Sequence, residues 1–157
     1  MTKKIHTIQS SDKVEFDKQV NELLELGCEL MDGGYEVINN DDGVVYSQVI
    51  VFKDTHKVKF YDNGQLKEIW NERIQTSWYE NGQKKSEGTY KDGKEDGLQT
   101  DWYRNGEKKS EGTYKDGKED GLWTWWYENG QKELEKIFKD GELISEEQWN
   151  EDGSVME

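Results

Sequence analysis

Apolar and polar residues alternate in short runs through the second half of the chain, and each run stops at the same kind of turn. Ile74-Gln75-Thr76-Ser77-Trp78 leads into Tyr79-Glu80-Asn81-Gly82, Leu98-Gln99-Thr100-Asp101-Trp102 into Tyr103-Arg104-Asn105-Gly106, and Leu122-Trp123-Thr124-Trp125-Trp126 into Tyr127-Glu128-Asn129-Gly130. Period-two alternation marks a half-buried strand. Asn-Gly between such runs predicts a hairpin, because both residues tolerate the positive φ of a type I′ turn. Weaker copies stand at Phe60-Tyr61-Asp62-Asn63-Gly64 and Trp149-Asn150-Glu151-Asp152-Gly153. The blocks Tyr79–Trp102 and Tyr103–Trp126 differ at only four positions, Glu80/Arg104, Gln83/Glu107, Gln99/Trp123 and Asp101/Trp125. Asn81, Asn105 and Asn129 recur at a constant step of 24 residues, and the step from Asn63 to Asn81 is six shorter, with Ile69–Ile74 as a tighter turn. Such a period predicts a meander in which each hairpin touches only its neighbours. Lys-Asp-Gly-Lys-Glu-Asp-Gly between the hairpins reads as a long turn.

Alternation also assigns faces. Ile74, Thr76 and Trp78, then Leu98, Thr100 and Trp102, then Leu122, Thr124 and Trp126 share one face, which predicts a row of stacked Trp as the spine. The opposite face carries Gln75, Ser77 and Tyr79, then Gln99, Asp101 and Tyr103, then Trp123, Trp125 and Tyr127. It becomes aromatic only in the last full copy. Either the segment Ile137–Trp149 covers that cluster, or Tyr103, Trp123, Trp125 and Tyr127 form an exposed patch that anchors a partner, since Trp and Tyr dominate binding hot spots. Gly88 and Gly112 read as bulges or as places where a ring lies against backbone.

Before residue 56 the pattern changes. Lys4–Gln9 reads as a strand. Asp12 with Glu15 forms a capping box, Phe16, Val20, Leu23 and Leu24 recur at helical spacing, and Gly27 supplies a C-cap, so Asp12–Leu26 reads as an amphipathic helix. Cys28–Met31 and Tyr35–Ile38, on either side of Gly33-Gly34, read as one interrupted strand. A turn at Asn39–Gly43 then leads into a central strand, Val44–Lys53. All seven Trp lie after residue 55, which places a boundary near Lys53–His56. The expected fold class is α+β: a small βαββ domain over residues 1–55, then an antiparallel β-hairpin repeat array over 56–157.

Two resemblances add to this. Val20-Asn21-Glu22-Leu23-Leu24, Gly27, Glu29-Leu30 and Gly33-Gly34 resemble the helix-to-strand signature of a small bacterial domain of unknown function, with Cys28 where that family usually has Trp. The Tyr-x-Asn-Gly turn, the Lys-Asp-Gly turn, the Asp-Gly pair and the Trp-Tyr end, repeated over residues 56–153, resemble the MORN-variant repeat found in bacterial antitoxins of the YwqK-like family. That resemblance implies an elongated single-layer meander and an antitoxin- or immunity-like role.

Composition narrows the function classes. Hydrophobic residues make up 31 % of the 157-residue chain and charged residues 36 %, so the core is thin, but seven Trp, eight Tyr and four Phe argue against disorder. A net charge of −14 argues against direct nucleic-acid binding and against anionic membranes, and it favours a basic protein partner. A single cysteine, no apolar leader and no run of membrane-spanning length point to the cytoplasm.

No catalytic kit accompanies the repeat. His6, His56 and Cys28 have no neighbours at metal-ligand spacing, and no P-loop, dinucleotide or nucleophile-elbow motif occurs. The Asp-Gly-Lys-Glu-Asp-Gly loops gather carboxylates but lack the oxygen count and terminal bidentate Glu of a calcium loop. No enzyme activity and no cofactor are expected. The leading expectation is a protein-binding module that neutralises a toxin or nuclease. An alternative is an acidic nucleic-acid mimic, an anti-CRISPR-like inhibitor in which Glu87, Glu95, Asp96, Asp101, Glu111, Glu119 and Asp120 occupy a basic groove. A third is a structural spacer or an array that oligomerises through its open edges.

Overall fold

The computed structural model describes residues 4–10, 13–25, 29–30, 36–40, 43–52 and 57–156. These hold one helix and fourteen strands. The chain divides into two compact units, Met1–Ile69 and Trp70–Glu157.

The chain begins with β1 (Lys4–Ser10), α1 (Lys13–Glu25), β2 (Glu29–Leu30), β3 (Glu36–Asn40), β4 (Gly43–Phe52), β5 (Lys57–Phe60) and β6 (Leu66–Trp70). β4, with its β-branched run, is the strand bonded along both edges. β1 runs antiparallel to it from Lys4 opposite Phe52 to Ser10 opposite Tyr46. β2 and β3 both lie along its other edge, at Val51–Ile50 and Ser47–Gly43. α1 packs on β1 and β4. Of its expected apolar face, Leu23 is fully buried, Val20 half-buried and Leu24 exposed at the margin. The expected caps Asp12 and Gly27, the Gly33-Gly34 break, Cys28, His56 and the boundary at residues 53–56 lie outside the described residues.

The α+β expectation with a βαββ domain is overturned. The described residues are almost entirely antiparallel sheet, with a single helix of 13 residues. After that helix come three strands, not two. Glu29–Leu30 and Glu36–Asn40 are not one interrupted strand, because each pairs with a different stretch of β4. Among the described residues no helix is long and apolar enough to cross a membrane.

The second unit contains β7 (Ile74–Trp78), β8 (Lys84–Lys91), β9 (Lys94–Trp102), β10 (Lys108–Lys115), β11 (Lys118–Glu119), β12 (Gly121–Trp126), β13 (Lys132–Lys139) and β14 (Glu142–Gln148). They form an antiparallel meander in sequence order, with β11 and β12 both on β10. The hairpin turns stand where the Asn-Gly and Asp-Gly pairs place them, but their types are exchanged. At Tyr79–Gly82 the Gly82 amide donates to the Tyr79 carbonyl at 3.0 Å and the Tyr79 amide donates to the Gln83 carbonyl at 2.8 Å. Only the glycine takes positive φ, at 80°. This is a type I turn closed by a left-handed glycine, repeated at Tyr103–Gly106 and Tyr127–Gly130. The type I′ signature falls instead on Asp92-Gly93, at φ 50° and 77°, and recurs at Asp116-Gly117 and Asp140-Gly141.

The expected long turn is also corrected. Lys91 opposes Lys94 across the Asp92-Gly93 turn, and the following Lys-Glu-Asp-Gly is strand with a bulge. Asp96–Leu98 bow outward opposite Thr89, with Gly97 at φ 109° and the Thr89 hydroxyl donating to the Asp96 carbonyl at 2.7 Å. In the next copy the same bulge separates β11 from β12 at Asp120.

The repeated face packs differently from the expected Trp stack. Equivalent positions lie two strands apart, about 10 Å, beyond the roughly 4.5–7 Å of ring contact. The Lys108 ammonium lies 5.9 Å from the Trp126 ring centroid and that of Lys132 5.3 Å from Trp149. The buried row is threonine: Thr76 is 0 %, Thr100 4 % and Thr124 7 % exposed, whereas Leu98 and Leu122 are about half exposed.

Candidate functional site

Three ladders hold successive copies in register. Along the Tyr-x-Asn-Gly turns, the Tyr79 hydroxyl donates to the Trp102 carbonyl at 2.9 Å, Tyr103 to Trp126 at 2.7 Å and Tyr127 to Trp149 at 2.9 Å. In the same turns Asn81 Nδ2 donates to the Arg104 carbonyl at 2.9 Å, Asn105 to Glu128 at 3.3 Å and Asn129 to Glu151 at 3.0 Å. Asn is therefore set by its side chain, whose Oδ1 also accepts the amide two residues on. Along the Asp-Gly turns, Asp96 Oδ2 accepts the Asp116 amide and Asp120 Oδ2 the Asp140 amide, both at 3.2 Å.

The four aromatic candidates fall into two kinds. Tyr103 and Tyr127 are ladder members. Both phenol pKa values are raised, Tyr103 by burial and then by Glu133 and Glu128, Tyr127 by burial and then by Glu133 and Glu151. Trp123 is only 5 % exposed. Its ring lies flat over Gly112, where a Cβ would overlap it. Trp125 stacks on Trp123 at 5.7 Å and Tyr114 meets it edge-on at 5.1 Å. The indole Nε1 donates to the Thr113 carbonyl at 3.2 Å. Trp125 remains half-buried. The expected ring on backbone is thus found at Gly112. The segment expected as a cover continues the sheet as β13 and β14.

The acidic candidates are largely engaged within the array. Glu87 accepts from Lys84 at 2.8 Å and from the Thr76 hydroxyl at 3.4 Å, and Glu111 from Lys108 at 2.6 Å and the Thr100 hydroxyl at 3.2 Å. One extra residue, Lys85 or Lys109, bulges out after each turn and reverses the alternation, so that Lys84 and Glu87 share a face. Asp101 accepts the Ser110 hydroxyl at 3.0 Å. Asp120 also accepts from Lys139 at 2.9 Å, and that bond, followed by the Asp140 amide, lowers its pKa. Glu95 and Glu119 lie opposite Tyr90 and Tyr114 and help to raise those phenol pKa values, after burial. Among the described residues no cluster of three His, Cys, Asp or Glu could hold a metal.

Alternation alone missed two other features. Six of the eight large exposed hydrophobics described in the chain lie beyond residue 121. Four of them, Leu122, Ile137, Val155 and Met156, line a cleft of about 620 Å³ rimmed by Glu135, Glu146 and Glu147. Leu122 faces Ile137 across β12 and β13, and the Met156 amide donates to the Gln148 carbonyl at 2.8 Å. The apolar end of the chain signalled this cleft, but only the register brings its residues together. A second cavity, of about 970 Å³, lies where the first copy is six residues short.

Three consecutive stretches, residues 74–92, 95–116 and 119–140, match the family model described as MORN repeat variant. Each runs from a strand through its Tyr-x-Asn-Gly turn to the aspartate of the next Asp-Gly turn, so one copy is one hairpin. The chain carries three such copies in tandem. No curated protein matches it.

Proposed function

We propose that this chain is a non-enzymatic module that binds a protein partner through the cleft at β12–β14. The observation that carries the proposal is the lining of that cleft: Leu122, Ile137, Val155 and Met156 are each 41–54 % exposed side by side. These four apolar side chains share one cleft with Glu135, Ser145, Glu146, Glu147 and Gln148, and that clustering separates them from scattered surface leucines. Glu135 and Glu146 pair with Lys132 and Lys136, at 2.6 and 3.3 Å, so the preference for a partner whose apolar anchor is surrounded by Lys and Arg rests on Glu147 and on the net charge of −14, which also speeds its approach. The resemblance of the repeat to that of YwqK-like antitoxins supplies the consequence: the bound toxin or nuclease is neutralised, in the bacterial cytoplasm.

The nucleic-acid mimic is less well supported, because Glu87, Glu111, Asp96 and Asp120 already accept bonds from the array's own lysines, threonines and amides. The test is recovery of the partner from the source cell by the tagged full chain, by Ile137→Asp and by Leu98→Asp. Wild type and Leu98→Asp retain the partner and Ile137→Asp loses it. Retention by Ile137→Asp would overturn the assignment of the cleft.

A further inference from the structure

In the two later copies each Asp-Gly turn is held by the strand before it. The Gly117 amide donates to the Glu95 carbonyl at 2.8 Å beside the Asp116–Asp96 bond, and the Gly141 amide donates to the Glu119 carbonyl at 2.9 Å beside the Asp140–Asp120 bond. Lys139 adds its ammonium to the Asp120 carboxylate. In both copies two adjacent amides of a type I′ turn therefore grip a Glu-Asp, a backbone carbonyl and a carboxylate one residue apart, and in the last copy a lysine joins them.

Beside the first such turn, Asp92-Gly93, no strand holds that place among the described residues. The connection into β7 turns back early, at Asn71–Arg73, where Asn71 Oδ1 accepts the Arg73 amide at 2.8 Å and the Ile74 amide at 2.9 Å. Past the Tyr90 amide, which donates to the Arg73 carbonyl at 2.7 Å, the tip of β8 projects beside the empty position. Among the described residues the Asp92 and Gly93 amides meet no acceptor. Glu72 holds the position that Asp96 holds in the next copy, but it accepts no hydrogen bond from the turn. Gly117 and Gly141 abut the stems of Lys94 and Lys118, whereas Gly93 faces open space. Among the described residues this place is an open cavity of about 970 Å³ whose lining includes Arg73, Tyr90, Lys91, Gly93 and Asp96.

We propose that this notch binds an extended acidic segment of another protein, carrying Glu-Asp, in the register of the missing strand. Its Glu carbonyl accepts from the Gly93 amide. Its Asp carboxylate accepts from the Asp92 amide and the Lys91 ammonium, as Asp120 does from Asp140 and Lys139. This is strand addition with a charged anchor. A second copy of the chain is a poor occupant. Its described Glu-Asp pairs after Asp-Gly turns are taken by its own turns, and its last strand carries Leu143-Ile144 at the equivalent place. The site is separate from the β12–β14 cleft, and its failure would leave that proposal standing.

The probe is the peptide Lys-Glu-Asp-Gly-Leu, the sequence of residues 118–122, titrated into the ¹⁵N-labelled full chain. The Asp92 and Gly93 amide signals shift saturably while those of Asp116 and Gly117 stay in place. Replacing the peptide's Asp by Asn, or Lys91→Gln in the protein, weakens binding about fivefold to tenfold, the scale of one lost charge-assisted bond. Ile137→Asp leaves the titration unchanged. Equal binding of the Asn peptide would overturn the proposal. So would amides of Asp92 and Gly93 as protected from exchange in the free protein as those of Gly117 and Gly141.

Discussion

The Tyr103 hydroxyl donates a 2.7 Å hydrogen bond to the main-chain carbonyl of Trp126, one repeat further along. The same bond joins Tyr79 to Trp102 and Tyr127 to Trp149, so the phenol at each turn fixes the distance to the next hairpin. Tyr103→Phe removes one rung and leaves a carbonyl without its partner, at about 1 kcal/mol, read as a lower urea midpoint at unchanged slope. The pH dependence has a definite sign. Burial, then Glu133 and Glu128, raises the folded phenol pKa. The resulting stability is present below the unfolded phenol pKa, about 10, and is lost as pH rises through the folded value. Tyr103→Phe flattens that alkaline limb.

Gly112 and Gly88 occupy equivalent places with different neighbours. A Cβ on Gly112 would run into the Trp123 ring, while one on Gly88 would meet first the amide end of the Gln99 side chain. Gly112→Ala destabilises by about 1–3 kcal/mol, and Gly88→Ala by less, since a flexible Gln swings aside. Thermal melts of the two variants check the order. Equal losses would show that Trp123 does not rest on Gly112.

Asp120 holds the Asp140-Gly141 turn through its carboxylate and is itself held by Lys139. Its lowered pKa gives stability that is present above the unfolded carboxylate value and lost as pH falls through the folded one. Asp120→Asn removes that acid limb and speeds hydrogen exchange at the Asp140 and Gly141 amides. Exchange unchanged from wild type would separate the carboxylate from the turn.

Trp123→Ala removes the covered ring of the aromatic cluster and lowers stability by about 3 kcal/mol. Leu98→Ser, at an equally regular but exposed position, stays within about 0.5 kcal/mol. Chemical denaturation of both variants decides whether the array owes more of its stability to Trp123 or to a repeated leucine.

The hairpin order was legible because Asn-Gly and Asp-Gly recur at a fixed step. Turn type was not. Asn tolerates positive φ, but here its amide bonds across to the next turn, and the aspartates take the left-handed conformation instead. The α+β expectation gave one clean helical stretch the weight of a layer, whereas the described residues hold that single helix of 13 residues against fourteen strands. Alternation predicted which residues share a face, not which face is covered: the Leu-Thr-Trp stripe buries its threonines and exposes its leucines. Charge was legible and pairing was not, since Lys84 meets Glu87 only because an extra residue between them reverses the alternation.

The most direct test of the binding role is the affinity of the recovered partner for three purified full-length chains: wild type, Ile137→Asp and Leu98→Asp, each first shown to unfold at the wild-type midpoint. Binding that falls at least about tenfold, or about 1.4 kcal/mol, in Ile137→Asp alone is the predicted result. Equal affinity for all three chains would contradict a partner site at β12–β14.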